Sequence, residues 1–187
     1  NIRNKFKEFV VKMFCLQGFS EEQATANMNA VMNIETRIAE KSLSRVERRN
    51  PLNNYHLMSY AEFKEKFPAI DWDSFFAPLG LKDIDEINVA QPSAIAEVSE
   101  IVNNVPMNDI IAYIQWRIIS STTNELSDDI GELAFDFYGR TMSGRKTQQA
   151  RWKRALAATD GSLSEVIGQL YVEKYFPPEA KERMIAL

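Results

Sequence analysis

Cysteine and histidine are almost missing from this chain: Cys15 and His56 each stand alone among 187 residues. A single thiol closes no disulfide within the chain and reports no redox compartment; beside Phe14 and Leu16, Cys15 is expected as a small core residue. One imidazole and one distant thiol do not supply the three or four ligands that a zinc site takes. The same shortage leaves Ser120, Ser121 and Ser127 with no imidazole other than His56 and no G-x-S-x-G elbow, so no catalytic and no metal-ligating residue is assigned within the chain. The seven glycines are scattered singly and build no phosphate-cradling loop. No apolar run approaches the ~18 residues that suggest a membrane span. The opening stretch NIRNKFKEFVVKMF interleaves apolar residues with charges, which reads as an internal helix and not as a signal peptide. Positive charge is also in deficit: a net charge of −4 and a pI of about 5.2 argue against nucleic acid as a partner.

What the chain does have is helical periodicity. Hydrophobic residues at 45% and charged residues at 26% are ordinary for a folded domain. Ser20 and Gln23 have the spacing of a capping box ahead of Ala24, Met28, Val31, Ile34 and Ile38, which predicts a long amphipathic helix. Ser59 and Glu62 repeat the box, flanked by Met58 and Phe63 at the staple positions, and predict a helix over 60–67. Pro51 breaks the polar stretch SLSRVERRNPLNNYHL into a connection, and Ile87-Asn88-Val89 suits a brief strand. Pro92 opens a helix with Ile95, Val98, Ile101 and Val102 on one face. Pro106 opens another, DIIAYIQWRII, apolar nearly all round and therefore expected to be central and packed on several sides. After a bend at Ser120–Thr123, ELSDDIGELAFDFY resumes helical spacing, GRTMSG is expected as a loop, and residues 145–158 as a basic helix carrying Trp152 and Leu156. A turn at Thr159-Asp160-Gly161 and the Ser162/Glu165 box predict a fresh helix that ends at Phe176-Pro177-Pro178. The fold class is thus all-α: a non-repeating multi-helix domain over residues 1–187, with room for one very short strand pair.

Each candidate chemistry has a plainer structural explanation. Asp71 with Asp73, and Asp128 with Asp129, lack the further ligands of a calcium loop and read as caps and solvated faces. The densest charge lies in GRTMSGRKTQQARWKRAL, where Arg140, Arg145, Lys146, Arg151, Lys153 and Arg154 surround Trp152. That stretch suits either an anionic partner or, better, a solvated helix with the indole turned inward, as Trp116 is expected to be. Gly168 within a helix suggests a close helix contact. The closing stripe Ala180, Met184, Leu187 carries neither cap nor basic last turn, so the helix is expected to continue in a longer protein.

EVIGQLYVEKYFPPEAKERM resembles the segment that precedes the catalytic half in zinc metallopeptidases of the neprilysin, endothelin-converting enzyme and oligopeptidase O family. ARWKRAL resembles the family's tryptophan–arginine stretch, YIQWRII its Tyr-Leu-x-Trp-Arg helix, and ERRNPLNNYHLMSYAEFKEKFPAIDW its Arg-(Asp/Asn)-Pro to Trp region, all in the family's order. The match is close over residues 35–187 and looser before. It falls on Glu35, Arg49, Pro51, Tyr55, Trp72, Tyr113, Trp116, Arg117, Trp152, Gly168, Leu170, Tyr171, Val172 and Phe176, which read as packing positions. The family's H-E-x-x-H does not occur here, and its later E-x-x-x-D segment and its Asn-Ala motif belong beyond the matching region. His56 stands where the family commonly has asparagine.

The resemblance implies a helical cap domain of a neprilysin-like zinc metalloendopeptidase. Such a domain restricts peptide access to an enclosed cavity, while a downstream catalytic domain of the same polypeptide binds the zinc and hydrolyses oligopeptides. It also implies an extracytoplasmic bacterial enzyme, periplasmic or of the cell envelope. The competing reading is a free-standing helical module whose Arg140–Arg154 surface takes an anionic partner.

Overall fold

The structure is a computed structural model that describes residues 1–186, and it divides into two compact units, Asn1–Met142 and a second from Ser143 onward. Leu187, the last position of the predicted closing stripe, lies outside the described residues. The first unit begins with α1 (Ile2–Leu16), capped by the Asn1 side chain, and α2 (Glu21–Lys41). Both halves of the Ser20–Gln23 box are made. Two 3-10 turns, Glu47–Arg49 and Pro51–Asn54, lead to β1 (Leu57–Ser59) and α3 (Tyr60–Lys66). Here too the predicted box is complete: the Ser59 Oγ accepts from the Glu62 N–H at 3.2 Å and Glu62 accepts from the Ser59 N–H at 2.9 Å. Helix α4 (Trp72–Phe76) precedes β2 (Glu86–Asn88), which pairs antiparallel with β1 in the register Met58 to Ile87. The strand falls one residue earlier than Ile87-Asn88-Val89. Helices α5 (Pro92–Asn104), α6 (Met107–Ser121) and α7 (Asp128–Ala134) follow.

Three apolar clusters hold this unit. Phe9, Val10, Met13 and Phe14 of α1 pack with Met28 and Val31 of α2, Trp116 of α6 and Phe137. Ile34 meets Ile101 and Val105, and Phe63, Phe67, Trp72 and Val89 form a third cluster, where the Trp72 indole donates to the Phe67 carbonyl at 2.6 Å. Cys15 is exposed, against expectation. The buried face of α1 recurs at 9, 10, 13 and 14, and the 3.6-residue period turns position 15 away from it. Helix α6 is not central either. Ala112 and Trp116 are buried, but Met107, Ile111, Ile114 and Ile118, at steps of three and four, form a second stripe that is exposed.

The expected GRTMSG loop is replaced up to Met142 by a π-helix, Phe135–Met142, that continues α7. Phe135, Phe137 and Gly139 are all buried on it: Phe137 stacks on Phe9 of α1 at 5.0 Å, while Phe135, two positions away, lies beside Gly139 and under the Arg140 guanidinium. Gly139 is required there: a Cβ would stand 2.3 Å from the Phe135 ring.

The second unit holds α8 (Arg151–Tyr175) and α9 (Pro178–Ile185). Helical structure runs through Thr159-Asp160-Gly161, where a turn was expected, and the Thr159 hydroxyl donates to the Ala155 carbonyl at 2.9 Å. The break falls instead at Leu163 (φ −128°, ψ 27°), inside the predicted helix start. Residues 145–150 are not helical. Phe176-Pro177-Pro178 ends α8 as expected, and Pro178 opens α9. Among the described residues neither helix has a buried residue, and a Cβ on Gly168 would meet nothing within 4 Å, so no close helix contact among them explains that glycine. Among the described residues there are nine α-helices and one strand pair, which makes the fold mainly helical.

Candidate functional site

The resemblance-matched residues, apart from Trp72 in the Phe63–Phe67 cluster, separate into three places. Glu35 on α2 meets Tyr113 and Arg117 on α6, with Trp116 between them in the sequence of that helix. The Tyr113 hydroxyl donates to Glu35 Oε1 at 3.3 Å and the Arg117 guanidinium approaches the same oxygen at 3.4 Å. Trp116, 3% exposed, packs on Phe6 and Phe9 of α1 and lines the same groove as Glu35 and Arg117. In front lies an open groove of about 570 Å³, to which Arg3, Phe6, Thr36 and Tyr138 also contribute. Burial pushes the Tyr113 phenol up, reinforced by the Glu35 charge, and burial pushes Tyr138 up as well. The arrangement joins helices through a shared carboxylate and offers guanidinium, carboxylate and aromatic surface together. The contacts span 78 and 82 positions, and no local pattern announces them or the part played by Arg3 and Tyr138.

Arg49, Pro51 and Tyr55 occupy the exposed connection between α2 and β1, near a second groove of about 450 Å³ lined by Lys41, Glu47, His56, Lys66 and Gln91. His56 spends Nδ1 on the Val89 carbonyl at 3.0 Å. Trp72 is buried. The third group, Trp152, Gly168, Leu170, Tyr171, Val172 and Phe176, belongs to the second unit. Trp152, expected inward, is 64% exposed because its helix has no covering partner within the unit, and Leu170, Tyr171 and Val172 are exposed with it.

The remaining candidates behave as caps and ion pairs. Asp71 accepts from the Ser74 N–H at 3.1 Å, and Asp73 holds Lys64 at 3.0 Å and the Tyr60 hydroxyl at 2.9 Å. Bonds from Ser74 and Lys64, respectively, hold the two carboxyls below the usual carboxylate range. Arg140 pairs with Asp136 and Glu132 and lies over the Phe135 ring, so it belongs to the first unit, while Arg145–Arg154 belong to the second. Among the described residues no group of three or more His, Cys, Asp or Glu could hold a metal ion, so the donors present do not fit a zinc site. No described helix is long and apolar enough to cross a membrane.

Fold and grooves therefore define a mainly helical segment built around aromatic clusters and shared ion pairs. The chain belongs to peptidase family M13, whose N-terminal profile matches residues 1–187. Neprilysin-2 of Drosophila melanogaster is 25% identical over 97% of this chain and 26% of its own length. Endothelin-converting enzyme 1 of Mus musculus is 24% identical, over 94% and 24% respectively. The Mycobacterium tuberculosis zinc metalloprotease Zmp1 in its open state superimposes with a TM-score of 0.90 at 26% identity, over 98% of this chain and 29% of that one. PepO from Lactobacillus rhamnosis shares the fold, with a TM-score of 0.87 at 21% identity. The chain spans about a quarter of the length of these relatives.

Proposed function

We propose that this chain is the non-catalytic helical domain of a neprilysin-like zinc metalloendopeptidase, one that limits which peptides reach an enclosed active-site cavity. Hydrolysis of oligopeptides belongs to the full-length protein. The observation that carries this reading is the family match across all of residues 1–187, set against a chain only about a quarter as long as its relatives. The exposed apolar side chains of α8, among them Trp152, Leu170 and Tyr171, support a partner in the downstream catalytic domain. Zinc would be held by residues outside this chain. The reading extends to an extracytoplasmic bacterial enzyme, periplasmic or of the cell envelope, which fractionation with an antibody tests.

Extending the reading frame past Leu187 and expressing the result tests the function directly. The expected result is an H-E-x-x-H segment, one zinc per full-length chain and peptide cleavage abolished by a chelator, with neither zinc nor cleavage in residues 1–187 alone. A stoichiometric zinc or chelator-sensitive cleavage in residues 1–187 would sink the reading. The rival, a free-standing module binding anions through Arg140–Arg154, is disfavoured because Arg140 is already committed to Asp136 and Glu132.

A further inference from the structure

Residues 41–56 carry Lys41, Arg45, Arg48 and Arg49 against the single carboxylate of Glu47, in a chain whose net charge is −4. The three arginines are exposed, and among the described residues none has an ion-pair partner. Between them Val46, Leu52 and Tyr55 are 73%, 77% and 61% exposed. Single exposed apolar side chains need no explanation. This set is different because the backbone that displays it is braced. The Ser44 N–H donates to Glu47 Oε2 at 2.8 Å and the Glu47 N–H returns to the Ser44 Oγ at 3.2 Å. The Asn53 amide donates to the Glu47 carbonyl at 2.9 Å, and the Asn54 amide to the carbonyls of Arg48 at 2.9 Å and Asn50 at 3.1 Å. Asn88 on β2 ties down the end, donating to the Asn54 carbonyl at 3.1 Å and accepting from the His56 N–H at 2.7 Å. The ordering cost of this loop is therefore met before anything binds, which is how rigid recognition surfaces gain affinity. Arginine and tyrosine are also the residues that anchor protein interfaces, with guanidiniums suited to bidentate carboxylate contacts.

We propose that residues 44–55 form a preorganised docking surface for a protein surface with carboxylates around an apolar centre, supplied by the part of the same polypeptide that follows this chain. The inference rests on the proposed function, since it needs that downstream part to exist; relatives about four times as long give it room. Arg49, Pro51 and Tyr55, which lie in the family-like stretch yet pack into none of the three clusters, find their contacts there. A lipid headgroup would also attract arginines, but a fixed loop of two 3-10 turns suits a shaped protein contact better than a fluid surface.

Arginine labelling with a dicarbonyl reagent, mapped by mass spectrometry, tests this in residues 1–187 and in the full-length protein. Arg45, Arg48 and Arg49 are expected to react freely in the shorter chain and roughly tenfold more slowly or less in the longer one, where local opening must precede reaction. Combining Arg48→Glu with Arg49→Glu should restore reactivity at Arg45 in the full-length protein and leave the circular dichroism of residues 1–187 unchanged. Equal labelling in a full-length protein that binds zinc and cleaves peptides overturns the docking surface and spares the proposed function. A full-length protein without either property removes both. Capture of residues 1–187 by phosphatidylcholine–phosphatidylglycerol vesicles, abolished by the charge reversal, assigns the surface to lipid and overturns the proposal as well.

Discussion

Replacing Trp116 with alanine discriminates most sharply between the tryptophans. The indole is 3% exposed and meets two phenylalanine rings edge-on, Phe6 at 5.6 Å and Phe9 at 5.5 Å between centroids. An aromatic side chain of this size buries ~150–250 Å², which at ~25 cal/mol per Å² gives about 4–6 kcal/mol as an upper estimate. Partial collapse of the site lowers that figure, and the range for such truncations is about 3–5 kcal/mol. Trp152, 64% exposed with Lys153 Nζ 5.4 Å from its ring, should change stability by no more than about 0.5 kcal/mol when truncated. Urea titrations followed by far-ultraviolet circular dichroism measure both. With a slope of about 2 kcal/mol per M, Trp116→Ala should move the midpoint by roughly 1.5–2.5 M and Trp152→Ala by under about 0.3 M. Equal shifts, or a loss below about 1 kcal/mol for Trp116→Ala, would refute the assignment of core and surface.

Gly139→Ala should destabilise by about 1–3 kcal/mol, since its Cβ would overlap the Phe135 ring, whereas Gly168→Ala, with open space around it, should be neutral or stabilising by up to about 1 kcal/mol; thermal melts of both variants decide. Desolvation and then the bond to Asp73 push the Tyr60 phenol up to about 12. A phenol raised in the folded state gives stability that is present below the unfolded value near 10 and lost as pH rises from about 10 to about 12. Spectrophotometric titration should show Tyr60 among the late-ionising tyrosines, with Tyr113 and Tyr138, so that Tyr60→Phe removes one late step; an unchanged profile would contradict the Tyr60–Asp73 bond. Amide exchange should be slow in α1, with four buried residues, and fast in α8, with none; comparable protection in the two would mean that α8 is covered in solution.

The features legible in the sequence were those whose determinants lie within a few residues. Ser20 with Gln23 and Ser59 with Glu62 specify their helix starts because donor and acceptor are three positions apart, and Pro177-Pro178 stops α8 because proline restricts its predecessor whatever surrounds it. Coverage is a different kind of property. The periodicity of α6 marks both of its stripes as apolar, but only contact with α1 and α2 decides that Trp116 is buried while Ile111 and Ile118 stay exposed. Cys15 failed for the same reason: its neighbours in sequence are apolar, but the face is chosen by α2 and the π-helix. That π-helix had one local signal, the glycine at 139 four residues after Phe135, where a Cβ would overlap the ring; the burial of Phe137 is tertiary, set by its stacking on Phe9 of α1. The Glu35–Tyr113–Arg117 cluster lay furthest from reach. Resemblance marked its members separately, yet a carboxylate on α2 and a guanidinium 82 positions later become partners only once two helices have packed, so their pairing could not be read before the fold.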